Sequence, residues 1–439
     1  MKRTYAFTSG LIILSICIII FAHLLIYSGR DKISLEEEVV KGDKIYVDKL
    51  TINTLSFIDK LQWKGNINLN DGYDYKYSYK ETDLHRQNPR GLGIGMQISY
   101  DAGFYLYHKY PEKFKETFKE VKERKDKKDG ELVRLKDYYD FYPIFPSLIN
   151  EGSESWDYDN INFMDYFKIP VMDDEYLTLY NGKGSYYFES FGLEEDMSVY
   201  NLNSQSLSIG PYTYFTFNTY RKDGKRVDTS YIKDGYGIYK AKTVYYSSIG
   251  DSKKGENNGI EMIFPIDPKA SLLRLTKTED EKRLVLFTGE EEGTNLYLID
   301  IENGKLLQKL LITDKLPSGP SISKFKDIYL VKEDKERSSL LVMGEDGLYK
   351  LEGVFPVESI SPLDEGLAYK DGLLAFIKYE KDNWKDEEES PIQNDIYSRL
   401  IIANRDEVLY EGKLKTDIDK LNDFKKYYSN ILYELKWRD

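Results

Sequence analysis

This chain of 439 residues is long enough to bury one large core or two ordinary ones, and its 31% of charged residues predict a soluble main body. The formal net charge of −13 argues against nucleic acid as a partner, because phosphates require a basic surface. A single cysteine, Cys17, excludes an intramolecular disulfide and a thiolate metal cluster.

Residues 1–30 combine a short N-terminus with an apolar segment. The stretch Thr4–Gly29 contains no Asp, Glu, Lys or Arg. A helix over residues 5–27 would rise about 35 Å, enough to cross a hydrocarbon core of about 30 Å, so membrane lipid is the predicted partner of these residues. Lys2 and Arg3 favour a cytoplasmic N-terminus. The segment therefore predicts a single-pass anchor in the cell membrane, with a large extracytoplasmic C-terminal domain.

Residues 31–175 are predicted to form an N-terminal α+β region. Strands are expected at 44–61 and 73–79, and a helix over 110–130, where a proline suits the first turn and a glycine suits the end. The stretch DYYDFYPIFPSL at 137–148 is rich in aromatic residues and proline. It predicts a rigid extended segment that serves either as an exposed binding ridge or in core packing.

Carboxylates and aromatic side chains are interleaved in SESWDYDNINFMDYF at 153–167. Trp156, Asp157, Asp159 and Asp165 are the candidate ligand or cation contacts, because such a set could bind calcium or stack on a sugar. A standard EF-hand loop is excluded, since the glycine required at its sixth position is missing. Paired carboxylates could also hydrolyse a glycoside. A solvated acidic loop is the simpler alternative, and no cofactor other than calcium is suggested.

Residues 176–412 repeat a unit of several short strands. NLYLIDIENGKLLQKLLI at 295–312 predicts a hairpin, and 339–355 and 398–414 share its pattern. Each hairpin follows a short apolar run, and the runs begin at residues 284, 328 and 374. Asn-Gly and Asp-Gly pairs, which hairpin turns prefer, occur in most of these turns and again at Asn181–Gly182.

A spacing of roughly 40–50 residues with several strands per unit is typical of β-propeller blades. The predicted fold is therefore mainly β, with a propeller-like repeat domain after the transmembrane helix. The 39 tyrosines agree with half-buried pleated surfaces, although a biased genome would also raise that number. The alternative is a β-sandwich or α+β fold, in which turns also recur at short intervals.

The C-terminal region, residues 413–439, is predicted to be an amphipathic helix. Its apolar residues recur at spacings of three and four, at Ile418, Leu421, Phe424, Tyr428, Ile431, Leu432 and Leu435. Asp417 could cap its start.

The function predicted from these features is that of a membrane-anchored extracytoplasmic binding or scaffold protein of a bacterial cell envelope. Its partner would be a protein or a cell-wall polymer. The alternative is a surface carbohydrate-active enzyme that uses paired carboxylates. The sequence contains no G-x-S-x-G elbow, no H-E-x-x-H zinc motif and no phosphate-binding P-loop, so the non-enzymatic function is favoured.

Overall fold

The computed structural model describes one N-terminal helix and many β-strands. The described residues are 2–30, 35–58, 61–69, 72–78, 92–96, 131–137, 140–142, 144–148, 166–173, 176–181, 191–194, 200–221, 230–242, 260–316, 322–358, 366–381, 396–416 and 428–438. The predicted helix at 110–130 lies outside them.

The helix α1 comprises Lys2–Arg30. In the middle of α1, large apolar side chains are exposed on every side. Judged on the residues that the structure describes, no helix is both long and apolar enough to cross a membrane. The transmembrane segment stays a prediction.

The strands confirm the prediction of a mainly β protein. In chain order they are β1 Leu35–Gly42, β2 Leu50–Ile58, β3 Leu61–Asn68, β4 Gly72–Ser78, β5 Leu92–Met96, β6 Leu132–Arg134, β7 Phe141–Tyr142, β8 Ile144–Leu148, β9 Ile169–Pro170, β10 Tyr176–Asn181, β11 Phe191–Glu194, β12 Tyr200–Ile209, β13 Tyr212–Arg221 and β14 Gly237–Lys242. They continue with β15 Glu261–Pro265, β16 Ser271–Lys277, β17 Arg283–Glu290, β18 Gly293–Asp300, β19 Leu306–Thr313, β20 Ile322–Phe325, β21 Ile328–Lys332, β22 Ser338–Met343, β23 Tyr349–Phe355, β24 Gly366–Lys370, β25 Leu373–Lys381, β26 Ile396–Ala403, β27 Val408–Thr416 and β28 Tyr428–Trp437. Short 3₁₀ turns occur at Lys44–Tyr46 and Leu135–Asp137.

The chain divides into two compact units. The first unit contains residues 1–84 and 321–439, and the second contains residues 85–320. The predicted boundaries at 175 and 412 describe regions of the sequence rather than packed units, and they stay predictions.

Three antiparallel sheets make up the first unit. Their strand orders are β20-β21-β22-β23, then β1-β27-β26-β25-β24, then β28-β2-β3-β4, which we call the terminal sheet. The middle sheet packs on both neighbours, and strand β25 shows this directly. Leu374 and Phe376 join the core shared with β20–β23, whereas Ala375 and Ile377 join the core shared with the terminal sheet. Side chains alternate across a strand, so a strand buried on both faces is continuously apolar.

The predicted C-terminal helix is wrong over residues 413–416 and 428–437, which belong to strands β27 and β28, and the prediction for residues 417–427 lies outside the described residues. This strand pairs antiparallel with β2, from Leu50 opposite Trp437 to Ile58 opposite Tyr428. The register shifts where Asn53 faces Glu434 and Thr54 faces Leu432, which leaves Tyr433 as the extra residue of a β-bulge. The bulge places Leu435 opposite Ile52 and Leu432 opposite Thr54, so these leucines are three residues apart in β28 but pair with residues two apart in β2. One of the spacings from which the helix was predicted therefore crosses a bulge in a strand.

The second unit contains two four-stranded sheets, with strand orders β12-β13-β14-β15 and β16-β17-β18-β19. Smaller sheets pair β10 with β6 and β11, β5 with β8, and β7 with β9. One buried core lies between the two larger sheets and includes Ile238 from the first sheet and Leu284, Leu286 and Ile299 from the second. Burial of each such side chain contributes roughly 1.5–3 kcal/mol.

The three predicted hairpins of the repeat are confirmed as β18–β19, β22–β23 and β26–β27. Each turn is closed by a side chain that accepts backbone N–H groups. Asp300 accepts from residues 302 and 303 at 3.0 and 3.1 Å, Asp346 accepts from residue 348 at 3.2 Å, and Asn404 accepts from residues 406 and 407 at 2.9 and 2.8 Å. The apolar runs before these hairpins lie in β17, β21 and β25, the strands that directly precede the hairpins and pair with their first strands.

The turn predicted at Asn181–Gly182 is wrong. Asn181 pairs with Phe191, so the connection between β10 and β11 is longer than a two-residue turn. A further Asp-Gly pair, Asp223–Gly224, also predicts a hairpin turn from the sequence, and it lies outside the described residues.

Candidate ligand-binding site

The four candidate residues from the sequence, Trp156, Asp157, Asp159 and Asp165, lie outside the described residues. Whether they bind calcium or a sugar stays a prediction. The described chain resumes at Tyr166, the next residue after Asp165, and a cluster of aromatic and charged side chains begins there. All of its members belong to the second unit.

Three segments meet at this cluster through their backbones. Strand β7 pairs with β9, which places Phe141 opposite Pro170, and the Val171 N–H donates to the Asp140 carbonyl at 2.9 Å. The Lys233 N–H donates to the Tyr166 carbonyl at 3.0 Å. These contacts bring residues 140–142, 166–171 and 231–236 together, although they are far apart in the sequence.

Tyr166 and Asp234 form the polar centre of the cluster. The Tyr166 side chain is buried, and its hydroxyl donates a hydrogen bond to the Asp234 carboxylate. Burial raises the pKa of Tyr166 well above its ordinary value, and the hydrogen bond to Asp234 raises it further. Tyr166 therefore stays neutral and acts as a hydrogen-bond donor rather than as a nucleophile or a base.

A layer of aromatic rings supports this centre from below. Phe167 is fully buried, and its ring centroid lies 4.9 Å from those of both Phe217 and Tyr239. The Tyr239 hydroxyl donates to the Gly235 carbonyl, directly after Asp234 in the chain. Edge-to-face ring pairs of this kind contribute about 0.5–1.5 kcal/mol beyond the area they bury. The segment that carries Asp234 is therefore held rigidly.

The outer side of the cluster presents an aromatic ring and two lysines. Tyr231 is 51% exposed, and its ring packs edge-on against Phe141 with centroids 5.3 Å apart. Lys168 Nζ lies 5.6 Å from the Phe141 ring centroid, and Lys233 Nζ lies 5.4 Å from that of Tyr166. We call Phe141, Lys168, Tyr231 and Lys233 the aromatic–lysine surface.

The charged groups near this surface do not form a recognisable metal centre. Among the residues that the structure describes, no group of three or more His, Cys, Asp or Glu side chains could hold a metal ion. The arrangement is suited to holding a ligand by ring stacking, by hydrogen bonds and by positive charge.

Two other polar clusters are occupied by their own contacts. In the second unit, Glu290 accepts from Thr288 at 2.7 Å, from Tyr297 at 2.5 Å and from Lys309 at 2.8 Å. Burial opposes ionisation of Glu290, but these three hydrogen bonds outweigh it and lower the pKa of its carboxyl. Burial and the hydrogen bond to Glu290 raise the pKa of Tyr297 to about 12, although Lys309 opposes the increase. With both oxygens engaged, Glu290 ties three strands together.

The second such cluster surrounds Glu434 in the first unit. Asn53 Nδ2 donates to Glu434 Oε2 at 2.7 Å, Lys436 lies 2.9 Å from the same oxygen, and Lys326 pairs with Oε1. This cluster links strand β28 to β2 and to the turn between β20 and β21. Its role is also structural.

Comparisons with known proteins provide no family for this chain. No family model matches it, and no curated protein matches it. Among solved structures, the β-propeller domain of Cps50 (Swd1) from Myceliophteria thermophila matches with 12% identity and a TM-score of 0.23, over 46% of this chain and 68% of that one. A structure from a study of two prolyl endopeptidases matches with 11% identity and a TM-score of 0.16, over 83% of this chain and 55% of that one. Both scores are too low to support an argument about fold or function.

The sequence pointed to the neighbourhood of this surface but not to its members. Phe141 belongs to the stretch predicted as either a binding ridge or core, and it is half-buried against the exposed Tyr231. The one local signal for the rest is the alternation in Tyr231–Ile232–Lys233, where only the central isoleucine is buried. These three residues lie in a turn rather than in a strand, so the sequence pattern alone does not show where the two exposed side chains meet.

Proposed function

We propose that this protein is a single-pass, membrane-anchored binding or scaffold protein of the cell envelope. In this proposal α1 is the anchor, and a propeller-like series of sheets forms an extracytoplasmic binding module. The observation that carries the proposal is the apolar surface of α1.

The middle of α1 is apolar on all sides and exposed on all sides. Ten large hydrophobic side chains between Leu11 and Leu24 are 48–67% exposed. A helix that is apolar all round is stable in a protein core or in lipid, and a continuous exposed patch of this size indicates a binding partner. Lipid is the partner that can surround a helix completely, and the absence of charge from Thr4 to Gly29 supports it.

The proposed orientation rests on the charges at the two ends of the apolar stretch, where Arg30, Lys32 and Lys41 partly balance Lys2 and Arg3. Lys2 and Arg3 precede the apolar stretch, and positive residues beside a span favour the cytoplasmic side. The stacked sheets would then lie outside the membrane. Binding proteins built from repeated sheets carry their function on exposed edges and connecting loops, not in the sheets themselves.

The test combines three measurements on cells that express the full chain with a C-terminal tag. They are membrane fractionation, extraction with alkaline carbonate, and protease treatment of intact cells with a cytoplasmic marker. We expect the tag in the membrane fraction, resistance to carbonate, and loss of the tag to protease while the marker survives. Carbonate extraction is essential, because it separates a spanning helix from a peripherally attached one.

A matched pair of variants shows whether α1 is responsible. Ile13→Arg with Ile20→Arg places two charges in the apolar stretch, at a cost of about 2.5–3.5 kcal/mol each in the centre of a spanning helix. Leu306→Arg with Leu307→Arg places the same charges on exposed leucines of β19. We expect only the first pair to release the protein. Complete extraction of the unmodified chain by carbonate, or protection of its tag in intact cells, would contradict the proposal.

The alternative function, a carbohydrate-active enzyme, depends on Asp157, Asp159 and Asp165 and stays a prediction. Incubation of the purified full chain with envelope glycans tests it. Release of reducing ends that is lost in the three Asp→Asn variants would replace a binding function by an enzymatic one.

A further inference from the structure

The aromatic–lysine surface carries two positive charges in an otherwise acidic chain. The formal net charge is −13, yet among the described residues neither Lys168 nor Lys233 has a carboxylate partner. Instead each ammonium group lies over an aromatic ring. Most other lysines with described contacts pair with carboxylates, as Lys309 does with Glu290 and Glu292.

We propose that the aromatic–lysine surface binds a saccharide that bears an anionic group, either a phosphate or a carboxylate. This inference rests on the proposed function and names the class of ligand that the binding module takes. The exposed ring and the two lysines of the surface, together with the neighbouring Asp234, define that class, and each of the three recognises a different part of the ligand.

The exposed ring of Tyr231 recognises the sugar ring. One face of a pyranose consists of C–H groups, and an aromatic face of similar size covers it. Tyr231 is 51% exposed, and its ring packs edge-on against Phe141 with centroids 5.3 Å apart. Because this contact already restricts the Tyr231 side chain, stacking a ligand on it costs little additional side-chain entropy. Tyrosine has only two side-chain torsions, which keeps the entropic cost of binding low.

Asp234 recognises sugar hydroxyl groups. Its carboxylate is exposed, and the hydroxyl of Tyr166 donates to Oδ2. Oδ1 can accept a hydrogen bond from a ligand hydroxyl, and a bond to a charged acceptor contributes more than a bond between neutral groups. Because Tyr166 is itself held by the Lys233 backbone, the carboxylate is placed before the ligand arrives.

The two lysines recognise the anionic group. Lys233 lies two residues after Tyr231 in the same turn, with its ammonium group over the Tyr166 ring, and Lys168 lies over the Phe141 ring that packs against Tyr231. Both charges therefore belong to the cluster that contains the stacking ring. An acidic chain repels anionic polymers at long range, so attraction to such a ligand has to come from these local charges and should weaken as salt is added.

The experiment measures binding to the purified full-length chain in detergent by fluorescence anisotropy. Three labelled probes of similar length are used. They are an oligomer of N-acetylglucosamine 1-phosphate, an oligomer of galacturonic acid and a neutral oligomer of N-acetylglucosamine. We expect one or both anionic probes to bind at least tenfold more tightly than the neutral probe, and their order shows whether phosphate or carboxylate is preferred.

Variants of the surface are compared with a matched control. Tyr231→Ala should weaken the better anionic probe about tenfold, and Lys168→Gln with Lys233→Gln should weaken it comparably and reduce its salt dependence. The control is Tyr212→Ala with Lys240→Gln, another exposed tyrosine with a lysine 4.2 Å from its ring in the same unit. This control should bind like the unmodified chain. Thermal unfolding checks that every variant is folded.

Several results would overturn the inference. Equal affinity for the neutral probe would refute the role of the lysines, and equal competition by inorganic phosphate would refute recognition of a sugar. Equal losses in the control variant, or no binding of any probe, would refute the site. The assay uses purified protein, so failure here leaves the localisation result intact. If the purified chain binds the anionic probe but the protease test places the C-terminal tag inside the cell, the proposed function is refuted and the ligand-binding inference is not.

Discussion

Replacing Glu434 by glutamine tests whether one carboxylate holds the C-terminal strand in place. The Glu434→Gln side chain keeps the shape and can still accept from Asn53, but it loses the charge that attracts Lys326 and Lys436. Both lysines are more than half exposed, so water can solvate them once the carboxylate is gone. The change therefore isolates the charge on Glu434.

The expected loss follows from the pKa of Glu434. Burial opposes ionisation, but the hydrogen bonds from Lys326, Lys436 and Asn53 outweigh it and lower the pKa from 4.5 to about 2. At 1.36 kcal/mol for each pH unit between the unfolded and folded values, that difference amounts to roughly 3 kcal/mol. Water screens the exposed ammonium groups, so we expect a loss of about 2 kcal/mol at pH 7.

The sign of the pH dependence is fixed by the direction of this change. The folded pKa lies below the unfolded value, so the unfolded chain binds more protons as the pH falls. The contribution of Glu434 is therefore complete above the unfolded value of 4.5, and it disappears as the pH falls towards 2. The unmodified chain and Glu434→Gln should converge in stability over that interval.

Urea unfolding of the full chain in mild detergent, followed by tryptophan fluorescence at pH 7, 5 and 3, measures the effect. Trp63 and Trp437 lie in the terminal sheet and report on it directly. Asp334→Asn is the control, because its pair with Arg337 is exposed and should contribute nothing measurable. An unchanged stability of Glu434→Gln at pH 7, or a loss that persists undiminished at pH 3, would refute the reasoning.

Three further predictions concern packing and pairing; the first two are checked by urea or thermal unfolding and the third by the yield of unaggregated protein. Tyr236→Phe should leave stability unchanged or raise it by up to about 1 kcal/mol, because the buried Tyr236 hydroxyl has no hydrogen-bond partner among the described residues; a clear loss would reveal a partner. Gly412→Ala should cost about 1–3 kcal/mol, since its Cβ would lie 2.3 Å from the hydroxyl of the buried Tyr410. Gly372→Ala should cost only about 1 kcal/mol, because a Cβ there meets open space although φ is +81°. A larger loss for Gly372→Ala than for Gly412→Ala would contradict the close contact between Gly412 and Tyr410. Deletion of residues 428–439 should leave one edge of β2 unpaired and cause aggregation of the chain in detergent, whereas an unchanged yield of unaggregated protein would show that the pairing is dispensable.

The hairpins of the repeat could be predicted from sequence because turns depend on a few adjacent residues. The Asp-Gly and Asn-Gly pairs between apolar runs located β18–β19 and β22–β23 correctly. Strands β20 and β24, the first strands of their sheets, were not predicted. They have only four and five residues and no hairpin turn before them that would mark their start.

Prediction failed where long-range pairing decides the structure. Nothing local shows that residues 428–437 extend along β2, and the bulge at Tyr433 produces a spacing of three that resembles a helix. The aromatic–lysine surface has the same origin. Tyr231 meets Phe141 only because the backbone contacts of Tyr166 and Val171 bring distant segments together. Sequence spacing contains no information about such a meeting.

The pairing of β1 and β2 with β27 and β28 also determines when the first unit can finish folding during synthesis. Strands β1 and β2 pair with β27 and β28, and the contact between Asn53 and Glu434 joins residues 381 positions apart. At roughly 5–20 residues per second, ribosomes need about 20–80 s to make that intervening chain. During this time β2 has made its pairing with β3 but exposes its other edge, where a chaperone or another nascent chain could bind. That edge is closed only when β28 has been synthesised and pairs with β2.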